Sequence, residues 1–260
     1  MPRDVIQRNH VKIFGSGKQP MLFAHGFGCD QNMWRFLTPS FADRYQIVLF
    51  DYVGSGKSDL AAYDAKRYGA LDGYAQDVLD ICAALDLHDV ILVCHSVSCV
   101  IGVLAANRAP ERFERLVLIG PSASYLNDPP DYVGGFDRPD IEGLLEMMDK
   151  NYLGWASFLA PSVMKNADRP ELSAELEQSF CSTDPKIARR FAQVTFLSDN
   201  RSDFSKLTLP ALIMQCSDDT IAPLSAGEFV AREIPHSTFR LLQATGHCPH
   251  MSAPAETIEV

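Results

Sequence analysis

One short stretch constrains this chain more than any other: Val93-Cys94-His95-Ser96-Val97-Ser98-Cys99. An apolar, β-branched run leads into small residues around a serine and passes at once into a helical pattern. That pattern predicts a sharp strand-to-helix turn, which lifts the Ser96 hydroxyl above a sheet edge and points the first N–H groups of the helix at whatever bonds to it. The turn is crowded, so the positions two before and two after the serine must be small. They are Cys94 and Ser98, where the usual form of the motif, Gly-x-Ser-x-Gly, has glycine twice. Each extra Cβ must therefore find room. A serine between small residues is by itself most often a turn or helix-cap residue, so its partners decide the reading.

An activated serine needs an imidazole within hydrogen-bond reach, and the imidazole needs a carboxylate that fixes its tautomer and stabilises its cation. Residues 210–216 read as a buried parallel strand, and Ser217-Asp218-Asp219-Thr220-Ile221-Ala222-Pro223 is the loop at its end. Residues 237–242 read as the next strand, followed by Gly246-His247. Both loops leave the sheet on the rim that carries Ser96, where open α/β sheets hold their sites. Asp219 is favoured over Asp218 because its Asp-x-Ile-x-Pro context suits a strand-end loop. His247 is favoured over His250 because Gly246 lets its loop approach the serine, leaving His250 as a supporting or surface residue. His95 is expected to pack beneath the turn. His247, Cys248 and His250 also read as metal ligands, but three groups on one loop without a fourth elsewhere make a poor set, and no metal or cofactor is expected. Charge on a carbonyl oxygen must meet preorganised N–H donors, each worth about 10²–10³ in rate. Val97 supplies one, and Phe27, within His25-Gly26-Phe27-Gly28, the other. Ser, Asp, His in that chain order is the order of the α/β-hydrolases.

With 260 residues the chain can bury one α/β core carrying an insertion. The expected class is α/β, with a mostly parallel central sheet, helices on both faces and an inserted helical cap. Residues 1–121 and 206–260 form the expected core and 122–205 the cap. A net charge of -10 disfavours nucleic acid and anionic membrane as partners. No apolar run approaches the roughly 18–20 residues of a membrane span, and the first residues lack the apolar segment of a secretory signal. The cysteines number seven, an odd count scattered through strands and helices, which suits reduced thiols and a cytoplasmic location.

Residues 5–14 and 21–24 read as an opening hairpin around Gly15-Ser16-Gly17. Residues 46–50 read as a strand that ends in Asp51-Tyr52-Val53-Gly54-Ser55-Gly56-Lys57-Ser58, whose glycines lie too close together for a nucleotide-binding P-loop. Leu71, Tyr74, Ala75, Val78, Cys82 and Leu85 recur at helical spacing. A strand at 89–93, a helix at 97–108 and a strand at 115–119 follow. After Gly120-Pro121 the alternation stops until Pro210, and aromatic residues fill helix-like segments at 141–155 and 185–197. A helical layer over the serine must present an apolar face to it. Phe136, Trp155, Phe158 and Phe196 are therefore expected to line a hydrophobic cavity with Phe27 and His25, each buried aromatic contributing roughly 1.5–3 kcal/mol. A helix at 225–234 and another from Pro254 complete the pattern, and the closing helix is expected to run on past Val260.

Taken together the chain resembles the small α/β-hydrolases of the RsbQ type, bacterial stress-signalling proteins, and their plant relatives, the karrikin and strigolactone receptors. The resemblance covers nearly the whole chain. It rests on Arg8-Asn9-His10-Val11-Lys12, Gly26-Phe27-Gly28-Cys29-Asp30-Gln31, Phe50-Asp51-Tyr52-Val53-Gly54-Ser55-Gly56, Leu71-Asp72-Gly73-Tyr74-Ala75-Gln76-Asp77-Val78, Tyr125-Leu126-Asn127-Asp128-Pro129-Pro130, Phe180-Cys181-Ser182-Thr183-Asp184-Pro185 and Gly246-His247-Cys248-Pro249-His250-Met251-Ser252. It implies Ser96, Asp219 and His247 as a catalytic triad, the N–H groups of Phe27 and Val97 as oxyanion donors, and a four-helix V-shaped cap over an apolar pocket. In the bacterial proteins such a hydrolase acts with a PAS-domain phosphatase in activating an alternative sigma factor. In the plant proteins it hydrolyses a butenolide-bearing signal, or senses a related one, and recruits a partner. Ser98 is similar to the plant form of the turn, the bacterial proteins usually having Gly there, and Cys94 matches neither. Two functions of different class follow: a serine hydrolase of small hydrophobic esters or lactones, and a ligand-sensing receptor that recruits a partner through its cap. Cofactor-free peroxidation ranks behind both, and a dehalogenase would need Asp in place of Ser96.

Overall fold

Strands that are apolar on both faces need two neighbours and two covering layers, and this chain has a row of them. The computed structural model describes residues 4–260. Its seven strands are β1 (Lys12–Phe14), β2 (Pro20–Ala24), β3 (Gln46–Leu49), β4 (Val90–His95), β5 (Phe113–Ile119), β6 (Ala211–Asp218) and β7 (Ser237–Thr245). They pair in the order β1-β3-β2-β4-β5-β6-β7. Among the described strands the β1–β3 pair alone is antiparallel. Every residue of β2 and β4 is buried. Alternation divides them between the faces: Leu22 and Leu92 join one core cluster, Phe23 and Val93 the other.

Helices α1 (Val5–Arg8), α2 (Leu71–Ala84) and α3 (Val97–Arg108) come before the break in alternation. Val78, Ile81, Ile101 and Leu104 from α2 and α3 fill the first cluster. Between β5 and β6 lie four longer helices, α4 (Arg138–Lys150), α5 (Tyr152–Met164), α6 (Pro170–Ser182) and α7 (Pro185–Phe196). Their buried side chains, among them Trp155, Leu176 and Phe196, share the second cluster with Phe23 and Met214 of the opposite sheet face and with Trp34 of the turn after β2. This helical layer and the sheet therefore have one continuous core on that side. Short helix α8 (Arg201–Phe204) leads back to β6, and α9 (Leu224–Glu233), α10 (Pro249–Ser252) and α11 (Pro254–Glu259) follow.

The opening hairpin does not form. Residues 5–8 are helical, with the Asp4 carboxylate accepting from Ile6 N–H at 2.9 Å. Only residues 12–14 are extended, and they pair with β3, Lys12 opposite Leu49, rather than with β2. The reason lies in burial: β1 is exposed throughout and suits an edge, whereas β2 takes a parallel partner on each side. The single helix expected over 141–155 is also divided. Asn151 (φ -154°, ψ 81°) separates α4 from α5 and its side chain accepts from Gly154 N–H at 3.0 Å. An Asn that can cap a new helix competes with continuing the old one.

Between β2 and β4 the strand order reverses, and Ala24 stands opposite Cys94 there. The residues that follow, 25–28 and 95–96, leave adjacent strands at one level. Asp218 and Thr245 pair at the ends of β6 and β7, which brings the next loops to the same rim. Asn151→Ala is expected to destabilise the protein by about 0.5–2 kcal/mol through loss of the cap. Urea denaturation with an unchanged midpoint would show that the α4–α5 break has another origin.

Candidate active site

Ser96 has φ 58° and ψ -125°, a conformation that side chains rarely adopt. Two backbone bonds hold it there: its N–H donates to Ile119 C=O at 2.9 Å, and its C=O accepts from Cys99 N–H at 2.9 Å. His247 Nε2 lies 2.7 Å from Ser96 Oγ, and His247 Nδ1 lies 2.7 Å from Asp219 Oδ2. Asp219 Oδ1 accepts from the N–H groups of Ile221 at 2.8 Å and Ala222 at 3.0 Å. Burial works to raise the Asp219 carboxyl. The charge of His247, its hydrogen bond and the two backbone donors outweigh that and hold the group below the usual carboxylate range. A carboxylate at Nδ1 keeps the proton on that nitrogen and leaves Nε2 to take one from the serine. Asp218 is exposed and pairs with Lys165 instead.

The loop carrying Phe27 is clamped against the turn. Ser98 Oγ donates to His25 C=O and lies 2.9 Å from Tyr52 Oη. The second extra Cβ at the turn thus carries a hydroxyl that ties the two loops together. His25 Nδ1–H donates to Gly26 C=O at 2.9 Å, and His25 Nε2 accepts from Tyr52 N–H at 3.2 Å. Burial pushes this imidazole below its ordinary value. A Cβ on Gly26 would stand 2.5 Å from His95 Nδ1, and one on Gly28 2.2 Å from the Phe180 ring, so both glycines are required for close approach. Among the described residues Phe27 N–H has no hydrogen-bond partner, and the first N–H groups of α3, beginning at Val97, have no intrahelical partner.

Residues 19–254 match the alpha/beta hydrolase fold family. The chain belongs to that family. It is 36% identical to the Karrikin insensitive 2 receptor CA of Petunia hybrida, over 98% of this chain and 95% of that one. It is 35% identical to a strigolactone esterase of Pisum sativum, over 98% and 96% of the two chains. Among solved structures, a hydrolase from Oleispira antarctica superposes with a TM-score of 0.97 at 48% identity, covering 98% of this chain and 94% of that one. The protein is thus an alpha/beta hydrolase related to karrikin and strigolactone receptors and esterases.

In this hydrolase the C-terminal end of α5 is bound to both loops of the site. The carbonyls of a last helical turn lack partners within the helix. Here Ser162 C=O accepts from Thr220 Oγ1, Val163 C=O from His247 N–H and Met164 C=O from Asn166 Nδ2, each at 2.8 Å. Gly246, at φ 83°, approaches so closely that a Cβ would stand 2.2 Å from Met164 O.

A cavity of about 30 Å³ lies beside Ser96, enough for a water or two. Phe27 and Phe196 line it together with Tyr125, Leu159 and Phe180. Tyr125 Oη is 3.3 Å from Ser96 Oγ. The other expected wall residues lie elsewhere. His25 is beneath the Phe27 loop, with both ring nitrogens engaged. Trp155 stands behind Phe27, its ring 6.1 Å away. Phe136 packs beside Leu126, donating its N–H to Tyr125 C=O. Phe158 is 59% exposed. The face of α5 turned to the core carries Trp155, Ala156, Leu159, Ala160 and Val163, and at 100° per residue Phe158 falls about 130° round the helix from the centre of that face. His250 is fully buried rather than at the surface. The glycine-rich loop at 51–58 wraps around its own acid: Asp51 accepts from Gln31 N–H and Lys57 N–H, both at 2.9 Å.

Cys94 fits because the room is made across the sheet–helix interface. A Cβ on Gly102 of α3 would lie 2.5 Å from Cys94 Sγ. The size constraint normally met in the turn is met one helix turn further on. Gly102→Ala is expected to destabilise the protein by about 1–3 kcal/mol by overpacking. In Cys94→Gly the same change should cost less or stabilise, since Ala favours a helix by about 1 kcal/mol over Gly. Denaturation of all four proteins closes the cycle, and a coupling within about 0.5 kcal/mol of zero would dismiss the exchange.

Proposed function

We propose that the protein is a serine hydrolase of small, neutral, hydrophobic esters or lactones, butenolides among them. Ser96 attacks the carbonyl carbon, His247 takes the serine proton and passes it to the leaving oxygen, and Asp219 holds His247 in position. The N–H groups of Phe27 and Val97 receive the oxyanion, and water then clears the acyl-enzyme with His247 as base. The observation that carries this reading is the unbroken series Ser96–His247–Asp219, two contacts of 2.7 Å. The substrate class follows from the wall, in which Phe27, Leu159, Phe180 and Phe196 face the serine and no Lys or Arg lines the cavity. Residues 122–205 act as the cap over a core of 1–121 and 206–260. In the cell we place it among stress-signalling hydrolases of the RsbQ type, in the cytoplasm, with a PAS-domain phosphatase or a comparable signalling protein as partner.

Ser96→Ala is expected to abolish hydrolysis of a short p-nitrophenyl ester with an unchanged far-UV spectrum, and activity at the wild-type level would remove the mechanism. Asp219→Asn, which misassigns the His247 tautomer, should lower kcat on the order of 10⁴-fold, read in the same assay. A second reading, a receptor with slow turnover, is favoured by the narrowness of the cavity. Mass spectrometry after exposure to a panel of butenolides and acyl esters separates the two. A transient acyl adduct on Ser96 with turnover of ~1–10³ per second marks the enzyme. A persistent adduct on Ser96 or His247, with turnover below about one per minute, marks the receptor.

A further inference from the structure

Behind the Ser96–His247 pair lies a set of buried donors that the hydrolytic mechanism leaves unused. His95, Cys248 and His250 each bring one ligand atom into a group whose members all lie within 4.8 Å of one another. All three residues are at most 2% exposed. The sequence points to a different trio, with His247 in it. Folding instead commits His247 to Ser96 and Asp219 and brings His95 across from β4.

The hydrogen bonding of the two imidazoles points to a ligand. His95 Nε2 donates to His247 C=O at 2.8 Å. That fixes its proton and leaves the lone pair of Nδ1 free, and Nδ1 has no hydrogen-bond partner among the described residues. Among the described residues His250 has a hydrogen-bond partner at neither ring nitrogen. An orphaned polar atom in a dry interior carries an uncompensated desolvation cost, and these two rings hold three such atoms beside a thiol. Aromatic packing holds the rings in place: His250 lies 4.4 Å from His95 and 4.8 Å from Trp34, centroid to centroid. Neither contact satisfies a nitrogen.

We propose that His95 Nδ1, one ring nitrogen of His250 and Cys248 Sγ form a binding site for a single soft monovalent metal ion, copper(I) in class. Charge and donor number select it. Two neutral imidazoles and one thiolate around a monovalent ion sum to zero, which a closed apolar interior tolerates, whereas a divalent ion would leave a buried positive charge. Thiolate and imidazole are soft enough for copper(I), and a tetrahedral zinc site needs a fourth donor. Binding forms the metal–sulfur bond and releases the thiol proton to solvent, with no change of oxidation state. His95 and Cys248 also line the cavity beside Ser96.

The test uses Cys181→Ser protein, because Cys181 is the exposed cysteine among the described residues and would bind soft ions independently. Copper(I), kept reduced under anaerobic conditions, is titrated against a chromophoric chelator. The expected result is one equivalent bound, with a rise in Tm. Cys248→Ala and His250→Leu should each weaken binding by more than the ~10–100-fold that loss of an outer partner costs. Should His250→Leu fail to fold, Cys248→Ala decides alone, and X-ray absorption at the copper edge should show nitrogen and sulfur neighbours in a ratio of two to one. Binding that survives in Cys248→Ala would overturn the proposal. So would zinc held more tightly than copper(I), or no binding at all, which would assign the orphaned nitrogens to a buried water.

Discussion

The pairing of β2 with β4, Phe23 opposite Val93 and Ala24 opposite Cys94, is the constraint from which the rest of the site follows. It places two chain reversals side by side where the strand order changes direction. One reversal must hold a serine at positive φ, and the other must present a free N–H beside it. Neither is stable as a loop alone. The Ser96 N–H bond to Ile119 fixes the first from the β5 side, and Ser98 and His25 fix the second from below. The two extra side chains at the turn, Cys94 and Ser98, are thereby explained separately. One is housed by a glycine in the facing helix, and the other supplies the bond that holds the loops together.

Much of this was legible in the residues. Strands with apolar character on both faces, such as 90–95, and helices with a clear stripe, such as 71–84, announce themselves by period. The choice of Asp219 and His247 over their neighbours rested on local chemistry that the fold also uses: Asp219 sits where it can accept from Ile221 and Ala222, and Gly246 reaches a backbone approach that a Cβ would forbid. The edge strand β1 was not legible as such. Three residues of exposed strand carry no periodic signal, and their partner was decided by the needs of β2 and β3.

The cavity wall was legible only in part, for a geometric reason. Aromatic content shows that a helical layer has an apolar side, but which rings face the serine depends on rotation of each helix about its axis. On α5 the axis is set by Trp155, Leu159 and Val163, which turns Phe158 to solvent. On α6 the spacing of Leu172, Leu176 and Phe180 carried the better signal. Tyr125 could not be placed from sequence, because it stands in an irregular segment whose course is set by isolated pairings such as Leu126 with Phe136.

The bonds from α5 to the loops bearing Asp219 and His247 have a mechanical consequence. The general base is suspended by its own backbone from the roof it works beneath. Lifting that end of the roof would unseat His247 from Ser96, so a molecule that entered there would find the machinery dismantled. Away from that end, Cys29 and Leu176 border both the cavity and a wider depression open to solvent. The position of this helix end and the alignment of the reacting groups are thereby a single variable.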